Sequence, residues 1–179
     1  MTTRLKFDEV NALVDSIQLR QPTADELVDE LLDYFIVAYL WGVNDTADSL
    51  GFEYDPSAVD ADEMRETIYH RFDGETFEER VRRHYEEGDI EGIRRVAETE
   101  THRDYNEGAY NTAKENGATR KTWHTMQDDK VREAHDWLEG VSVPIDGAFY
   151  IGDAEAEAPG MFGVPEYDVN CRCFLTFDR

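Results

Sequence analysis

Apolar residues recur at three- and four-residue intervals through most of the first 116 positions, which predicts a series of helices. The longest stripe carries Leu27, Leu31, Phe35, Tyr39 and Val43 at every fourth position. The predicted helices cover residues 8–19, 24–50, 62–72, 75–87 and 90–116.

Polar residues and glycines mark the ends of these helices. Thr23 and Glu26 have the spacing of a capping box, in which each side chain accepts a hydrogen bond from the other residue's backbone. Gly51 and Gly117 stand where helices should end, because glycine readily adopts the left-handed backbone of a helix C-terminus.

After Gly117 the runs of patterned apolar residues become shorter. They predict strands at 118–124, 141–145 and 148–151, a helix over 125–139, a loop over 154–166 and a final strand over 169–177. The expected fold class is therefore α+β: a long helical N-terminal region, residues 1–95, followed by a small α+β domain with short antiparallel strands, residues 96–179.

Composition changes the picture through charge. Asp and Glu number 41 against 18 Lys and Arg, giving a net charge of −23, and the lysines are Lys6, Lys114, Lys121 and Lys130. Abundant carboxylates with few lysines suit a saline cytoplasm, where salt screens the repulsion between them. We expect no sequence-specific nucleic-acid partner, which would need a basic face, and no membrane partner, because no apolar run approaches 18 residues.

The predicted helix 125–139 carries candidate chemistry. On a helix, Asp128, Arg132 and His135 would share one face, with His135 on the apolar stripe. Two interpretations stay open: an organised polar site, or a surface ion pair beside a core histidine.

Both cysteines of the chain lie at its end, in the segment Asn170-Cys171-Arg172-Cys173. Alternate residues of a strand point to the same side, so the two sulfurs should face together. They could be buried small hydrophobes, or thiolate ligands of zinc with His135 as a third ligand and His124, Asp128 or water as the fourth. A disulfide between them would be strained.

Catalytic motifs are scarce. The sequence has no P-loop, dinucleotide-binding glycine motif, HExxH or GxSxG. A nucleophile formed by a cysteine and His135 is conceivable and would need a depressed thiol pKa. The carboxylates of Glu98-Thr99-Glu100 are interpreted as a solvated helix face.

Taken in order, these segments resemble the C-terminal domain of Mu F-like minor head proteins, the phage head morphogenesis family. The similarity extends over about residues 96–177, and AYLWGVNDTADSLG at 38–51 resembles the helical region that precedes this domain. The matching positions are Lys121, Trp123, Asp128, Arg132, His135, Leu138, Gly140, Phe149, Pro159, Gly160, Asn170, Cys171, Arg172 and Cys173. Glu98 departs from the family pattern, which often has arginine there.

The resemblance implies a virion protein of a tailed virus or provirus that lies inside the head near the portal after assembly in the host cytoplasm. Its partners would be the portal protein and other copies of itself, and its role would be head assembly and genome ejection. The helical region 1–95 would make the portal or partner contact through the long helix 24–50, unless the apolar stripe of that helix packs on its own domain. The acidic, lysine-poor composition further indicates that the host is halophilic. An alternative is a Cys/His-dependent enzyme, a nuclease or a transferase, acting at genome entry.

On this reading the site is structural and non-catalytic. His135, Cys171 and Cys173 would be joined by zinc or by hydrogen bonds. A polar cluster would surround them: Lys121, Trp123, Asp128, Arg132, Asn170 and Arg172.

Overall fold

A computed structural model of the chain describes residues 7–55, 57 and 59–179. The expected start of the helical region at residues 1–6 lies outside the described residues. Five helices lie where the apolar periodicity predicts them, with end points that differ by a few residues. They are α1 (Phe7–Arg20), α2 (Ala24–Leu50), α3 (Ala61–Ile68), α4 (Phe77–Glu87) and α5 (Ile90–Glu115).

Capping boxes fix the starts of two helices. At α2, the backbone N–H of Glu26 donates to Thr23 Oγ1 at 3.2 Å and the Thr23 N–H donates to the Glu26 carboxylate at 2.8 Å, as predicted. Thr76 and Glu79 form a second box at α4. This box explains why α4 begins at Phe77, two residues later than the sequence predicts.

Helices α2 and α5 run antiparallel in close contact. Asp45 accepts a hydrogen bond from the Tyr105 hydroxyl at 3.0 Å, and the Tyr39 hydroxyl accepts one from Asn111 at 3.3 Å. Residue numbers along α5 therefore fall as those along α2 rise. The approach depends on glycine. A Cβ on Gly42 would lie 2.8 Å from the Ala109 amide nitrogen and closer still to a carbonyl oxygen of α5.

The apolar stripe of α2 faces its own chain. Phe35 is fully buried and Tyr39 nearly so, and the ring of Phe35 packs edge-on against Phe77 of α4 at 5.1 Å. The same core draws on α1, α3 and the start of α5. Most of the stripe is therefore unavailable to a partner protein.

The C-terminal part holds two small antiparallel sheets, and a second hydrophobic core around the fully buried Trp123 lies against them. The strands are β1 (Arg120–His124), β2 (Ser142–Pro144), β3 (Phe149–Ile151), β4 (Ala154–Ala156) and β5 (Phe174–Asp178). One sheet has the order β2-β1-β5 and the other is the hairpin β3-β4. The α+β class is confirmed.

The predicted helix 125–139 is wrong. Only α6 (Glu133–Asp136) is helical in this segment. Gln127 has a left-handed backbone with φ 51°, and the Asp128 carboxylate accepts the Lys130 N–H at 3.1 Å, a local turn that competes with a helix. Asp128 therefore does not share a helix face with Arg132 and His135.

The closing strand is shorter than predicted. Asn170 has φ 57°, which breaks the extended backbone, so β5 begins at Phe174 and both cysteines precede it. The predicted loop 154–166 contains β4 and the start of a one-turn helix, α7 (Pro165–Asp168).

The boundary expected between residues 95 and 96 falls inside α5, which continues unbroken across it. This helix supplies Val96 and Ala97 to the first core and Tyr110 to the second. The division into two domains stays a prediction. Among the described residues, no helix has the length and apolar character needed to cross a membrane.

We expect Gly42→Ala and Gly108→Ala to destabilise the protein, because each new methyl group would collide with the facing helix backbone. Overpacking of this kind costs about 2 kcal/mol, or a fall in Tm of about 5 °C for a chain of this size. Thermal unfolding followed by circular dichroism measures the change. Asn44→Ala, at an exposed position of α2, is the control and should leave Tm unchanged or slightly raised. Equal Tm values for all three variants would contradict the close contact.

Candidate metal centre

Three predicted ligands meet in the C-terminal core. His135 Nδ1 lies 3.7 Å from Cys171 Sγ and 3.4 Å from Cys173 Sγ, and all three residues are buried. Both cysteines are free. The sulfurs face together as predicted, although the segment that carries them is an irregular turn.

The spacing of these atoms fits a tetrahedral metal ion. Zinc binds thiolate sulfur at about 2.3 Å and imidazole nitrogen at about 2.05 Å, so a tetrahedral site would hold sulfur and nitrogen about 3.6 Å apart. The two observed distances lie on either side of this value. Two thiolates and an imidazole are also a donor set that zinc prefers.

A tight turn places the cysteines. Asp168, at the end of α7, accepts the backbone N–H groups of Phe162 at 3.0 Å and Val164 at 3.1 Å, and its carbonyl accepts the Cys171 N–H at 3.1 Å. Burial raises the pKa of the Asp168 carboxyl, while these backbone donors lower it. The left-handed Asn170 then directs both sulfurs inward.

Helix α5 holds the same segment through its backbone. The carbonyl oxygen of Cys173 accepts a hydrogen bond from Asn106 Nδ2 at 3.1 Å and contacts His102 Nε2. Sequence reasoning missed His102 and Asn106. The spacing along this 26-residue helix gave no signal for them, because they lie among many other polar residues.

The two thiols differ in acidity. Cys171 donates to Cys173, and this hydrogen bond together with burial raises the pKa of Cys171 to about 11. The same hydrogen bond lowers the pKa of Cys173, assisted by the nearby Trp123 indole.

The candidates for a fourth ligand lie elsewhere. His124 Nε2 hydrogen-bonds Thr176 at 2.9 Å, and its other nitrogen lies 3.4 Å from Glu139. Asp128 forms a bidentate ion pair with Arg172, with nitrogen–oxygen distances of 2.6 and 2.7 Å, and this pair lowers the pKa of Asp128 to about 2. Within the described part of the chain, the group of donor atoms around His135 contains only the two cysteines besides it.

Of the other residues in the predicted polar cluster, some lie beside the Cys-His site and one lies against the Tyr110 ring. Arg132 donates to the carbonyl oxygens of Tyr167 and Val169 and so holds α7 beside the cysteine turn. Trp123 packs edge-on against the His135 ring at 6.0 Å. Lys121 lies apart, with Nζ 4.1 Å from the centre of the Tyr110 ring. The polar residues matched in the sequence therefore do not form one cluster.

The interpretation of Glu98-Thr99-Glu100 as a solvated face is wrong, because Thr99 and Glu100 are buried. Glu100 pairs with Arg80 of α4 at 2.7 Å. Further along the helix, burial raises the pKa of Asp104 well above its usual range. The central helix therefore carries a buried layer of charge.

Fold and site together define an α+β protein whose closing Asn-Cys-Arg-Cys segment is held on a central helix and a buried histidine. The chain matches the Phage Mu protein F like family over residues 62–176 and belongs to that family. It is thus a Mu F-like phage head morphogenesis protein, as the motifs predict, and the family supports a place in the virion.

A second similarity is to an Enterococcus faecalis (strain ATCC 700802 / V583) protein named NAD(+)--arginine ADP-ribosyltransferase EFV. The two are 40% identical over 83 residues, which is 44% of this chain and 17% of that protein. The chain therefore spans less than a fifth of this relative's length. No solved structure matches the chain.

The buried lysine leads to a pH prediction. Lys121 is fully buried, and its Nζ has no hydrogen-bond partner among the described residues. Burial lowers the pKa of Lys121 to about 8 in the folded protein. Below pH 8 folding therefore carries the full cost of burying the charge, and this cost fades as pH rises to the unfolded value of 10.5.

We expect Lys121→Met to remove this dependence. Between pH 8 and 10.5 the free energy of unfolding of the wild type should rise relative to the variant, by up to roughly 3 kcal/mol. Urea denaturation at several pH values measures both proteins, and Lys114→Met, at a half-exposed lysine, is the control. A difference between wild type and Lys121→Met that does not vary with pH would contradict a lysine buried with its charge suppressed.

Proposed function

We propose that this protein is a minor head protein of a tailed virus or provirus. It would lie inside the head near the portal and take part in head assembly and genome ejection. The observation that carries this proposal is the family match, which spans the second half of the helical region, the central helix and the whole Cys-His site. Assembly would take place in the host cytoplasm.

The proposed role of the site is structural, with zinc as the metal. His135 lies in α6 and the cysteines precede β5, so one ion would join two segments that are 36 residues apart along the chain. Short strands and single-turn helices form few hydrogen bonds of their own, and a domain built from them gains from such a link. Both thiols are buried; the raised pKa of Cys171 opposes a reactive thiolate at that residue, whereas the pKa of Cys173 is lowered.

The proposed host is halophilic. The net charge of −23 would cause strong repulsion at low ionic strength, and molar salt would screen it. The same charge would keep the protein from adhering to packaged DNA, because phosphate binding needs a concentrated basic surface.

The proposed partners are the portal protein and further copies of this chain. The buried face of α2 cannot supply the contact, so the surface must be sought among exposed apolar residues. Trp137, which follows α6, is 77% exposed and is the type of residue that dominates interfaces. Leu19 of α1 is 90% exposed but lies in the half of the chain that forms the other core, so it is not assigned to this surface.

A transferase remains the second candidate, because the Enterococcus faecalis relative is named as an ADP-ribosyltransferase. The aligned part is a small fraction of that protein, so its name carries limited weight for this chain. A Cys/His-dependent enzyme would require a reactive cysteine at the His135 site.

We expect the protein to co-purify with the portal protein of the same virus when the two are co-expressed in molar salt. Trp137→Ala should weaken this association at least tenfold, since truncation of a central aromatic residue commonly costs 2 kcal/mol or more. Leu19→Ala serves as the exposed apolar control and should bind normally. A portal that never co-purifies with the wild type would contradict the proposed partner, and equal loss in both variants would contradict the role of Trp137.

We expect one zinc ion per chain, measured by inductively coupled plasma mass spectrometry after purification without chelators. Cys171→Ser and Cys173→Ser should lose it, whereas His124→Asn should keep it, because His124 lies outside the donor group. Zinc at about 1,000 times its Kd adds roughly 4 kcal/mol, so a chelator should lower Tm by about 10 °C.

Two results would contradict the structural zinc site. One is a metal-free protein whose serine variants melt like the wild type. The other is rapid alkylation of a single cysteine at neutral pH that His135→Ala abolishes, which would favour the enzyme.

A further inference from the structure

The Cys-His site offers three protein donors where tetrahedral zinc takes four ligands. Structural zinc sites are usually closed by four protein ligands, whereas sites with three keep a position for solvent or another small ligand. Here His124 is engaged with Thr176 and Asp128 with Arg172, so both sequence-predicted candidates are held by other partners.

A small cavity lies beside these three donors. It has a volume of about 10 Å³ and is lined by His135, Cys171 and Cys173, with Lys130, Arg132 and Arg172 around it. That volume is close to what one water molecule needs. Lys130 and Asn170, which also lines the cavity, are exposed, so the cavity lies next to the protein surface.

The charges around the cavity favour an anion. Two thiolates neutralise a divalent metal, so the centre itself would carry no net charge. Lys130, Arg132 and Arg172 add three positive charges, of which the Asp128 pair offsets one. Arg132 donates to backbone carbonyl oxygens, which carry no formal charge. A net positive rim is distinctive in a chain whose total charge is −23.

We propose that the metal centre has an exchangeable fourth position that binds a small monovalent anion, such as chloride, in place of water. This inference rests on the proposed metal site and deepens it. Binding is a ligand exchange: one water leaves the metal, one anion enters, and no electron is transferred. A closed structural site of four protein ligands would not allow this exchange.

Cobalt substitution tests the proposal on the full-length chain. Cobalt(II) bound to two thiolates and one imidazole gives visible d–d bands that respond to the fourth ligand. Azide is the probe, titrated at constant ionic strength against sodium perchlorate, a weakly coordinating salt. We expect a saturable change of the d–d bands with azide and reversal by chloride.

Two variants examine the positive rim. Lys130→Gln removes a charge beside the cavity and should weaken azide binding by about two- to fivefold, in the range expected for one exposed charge. Lys114→Gln removes a lysine that pairs with Asp146, away from the cavity, and should leave azide binding unchanged. Equal azide affinities for the two variants would overturn the role of the rim.

The outcomes separate the two proposals. Failure to bind cobalt or zinc would overturn the metal site and with it the exchangeable position. Stoichiometric cobalt with tetrahedral bands that do not change with azide would overturn the exchangeable position and leave the structural metal intact.

Discussion

The C-terminal part of this protein depends on one contact: the Cys173 carbonyl oxygen held by Asn106 and His102 of the central helix. These residues are 67 and 71 positions apart from Cys173 in the chain. A buried carbonyl without a donor would cost about 1–3 kcal/mol, so the pairing fixes where the closing segment may lie. Both sulfurs then face His135, and β5 can pair with β1 along its whole length. The geometry of the Cys-His site is thus a consequence of a polar contact on α5.

That dependence explains why α5 is polar where a central helix is usually apolar. Its first turns pack into the N-terminal core through Ile93 and Ala97, and there apolar burial suffices. Its later turns meet the irregular backbone of the cysteine segment, whose carbonyl and N–H groups need partners. Thr99 Oγ1 accepts the Asn170 N–H at 3.4 Å, which adds a third anchor. The helix therefore replaces part of the hydrogen bonding that a larger sheet would provide.

How far the sequence predicts this structure depends on the range of the interactions. Local signals succeed: the Thr23 capping box, the long helices and the short strands follow from spacing and propensity. The helix predicted over 125–139 fails because Asp128 is captured by Arg172, 44 residues away, and because Gln127 takes a left-handed backbone. Periodicity in that segment is real but is overridden by tertiary contacts. The Cys-His triad was predictable because scarce residue types stand out, whereas His102 and Asn106 lie among many polar residues.

The charges on the surface and those in the interior of the protein respond differently to salt. Repulsion among exposed carboxylates depends on ionic strength, so the surface responds to salt. The buried pairs, such as Arg80 with Glu100, are shielded from solvent and are screened much less. Replacing a buried pair by apolar residues is often neutral, so its retention cannot be explained by stability alone. The Arg80–Glu100 pair joins α4 to α5, and α5 also carries His102 and Asn106. Salt therefore acts on the exposed carboxylates more than on this buried layer of charge.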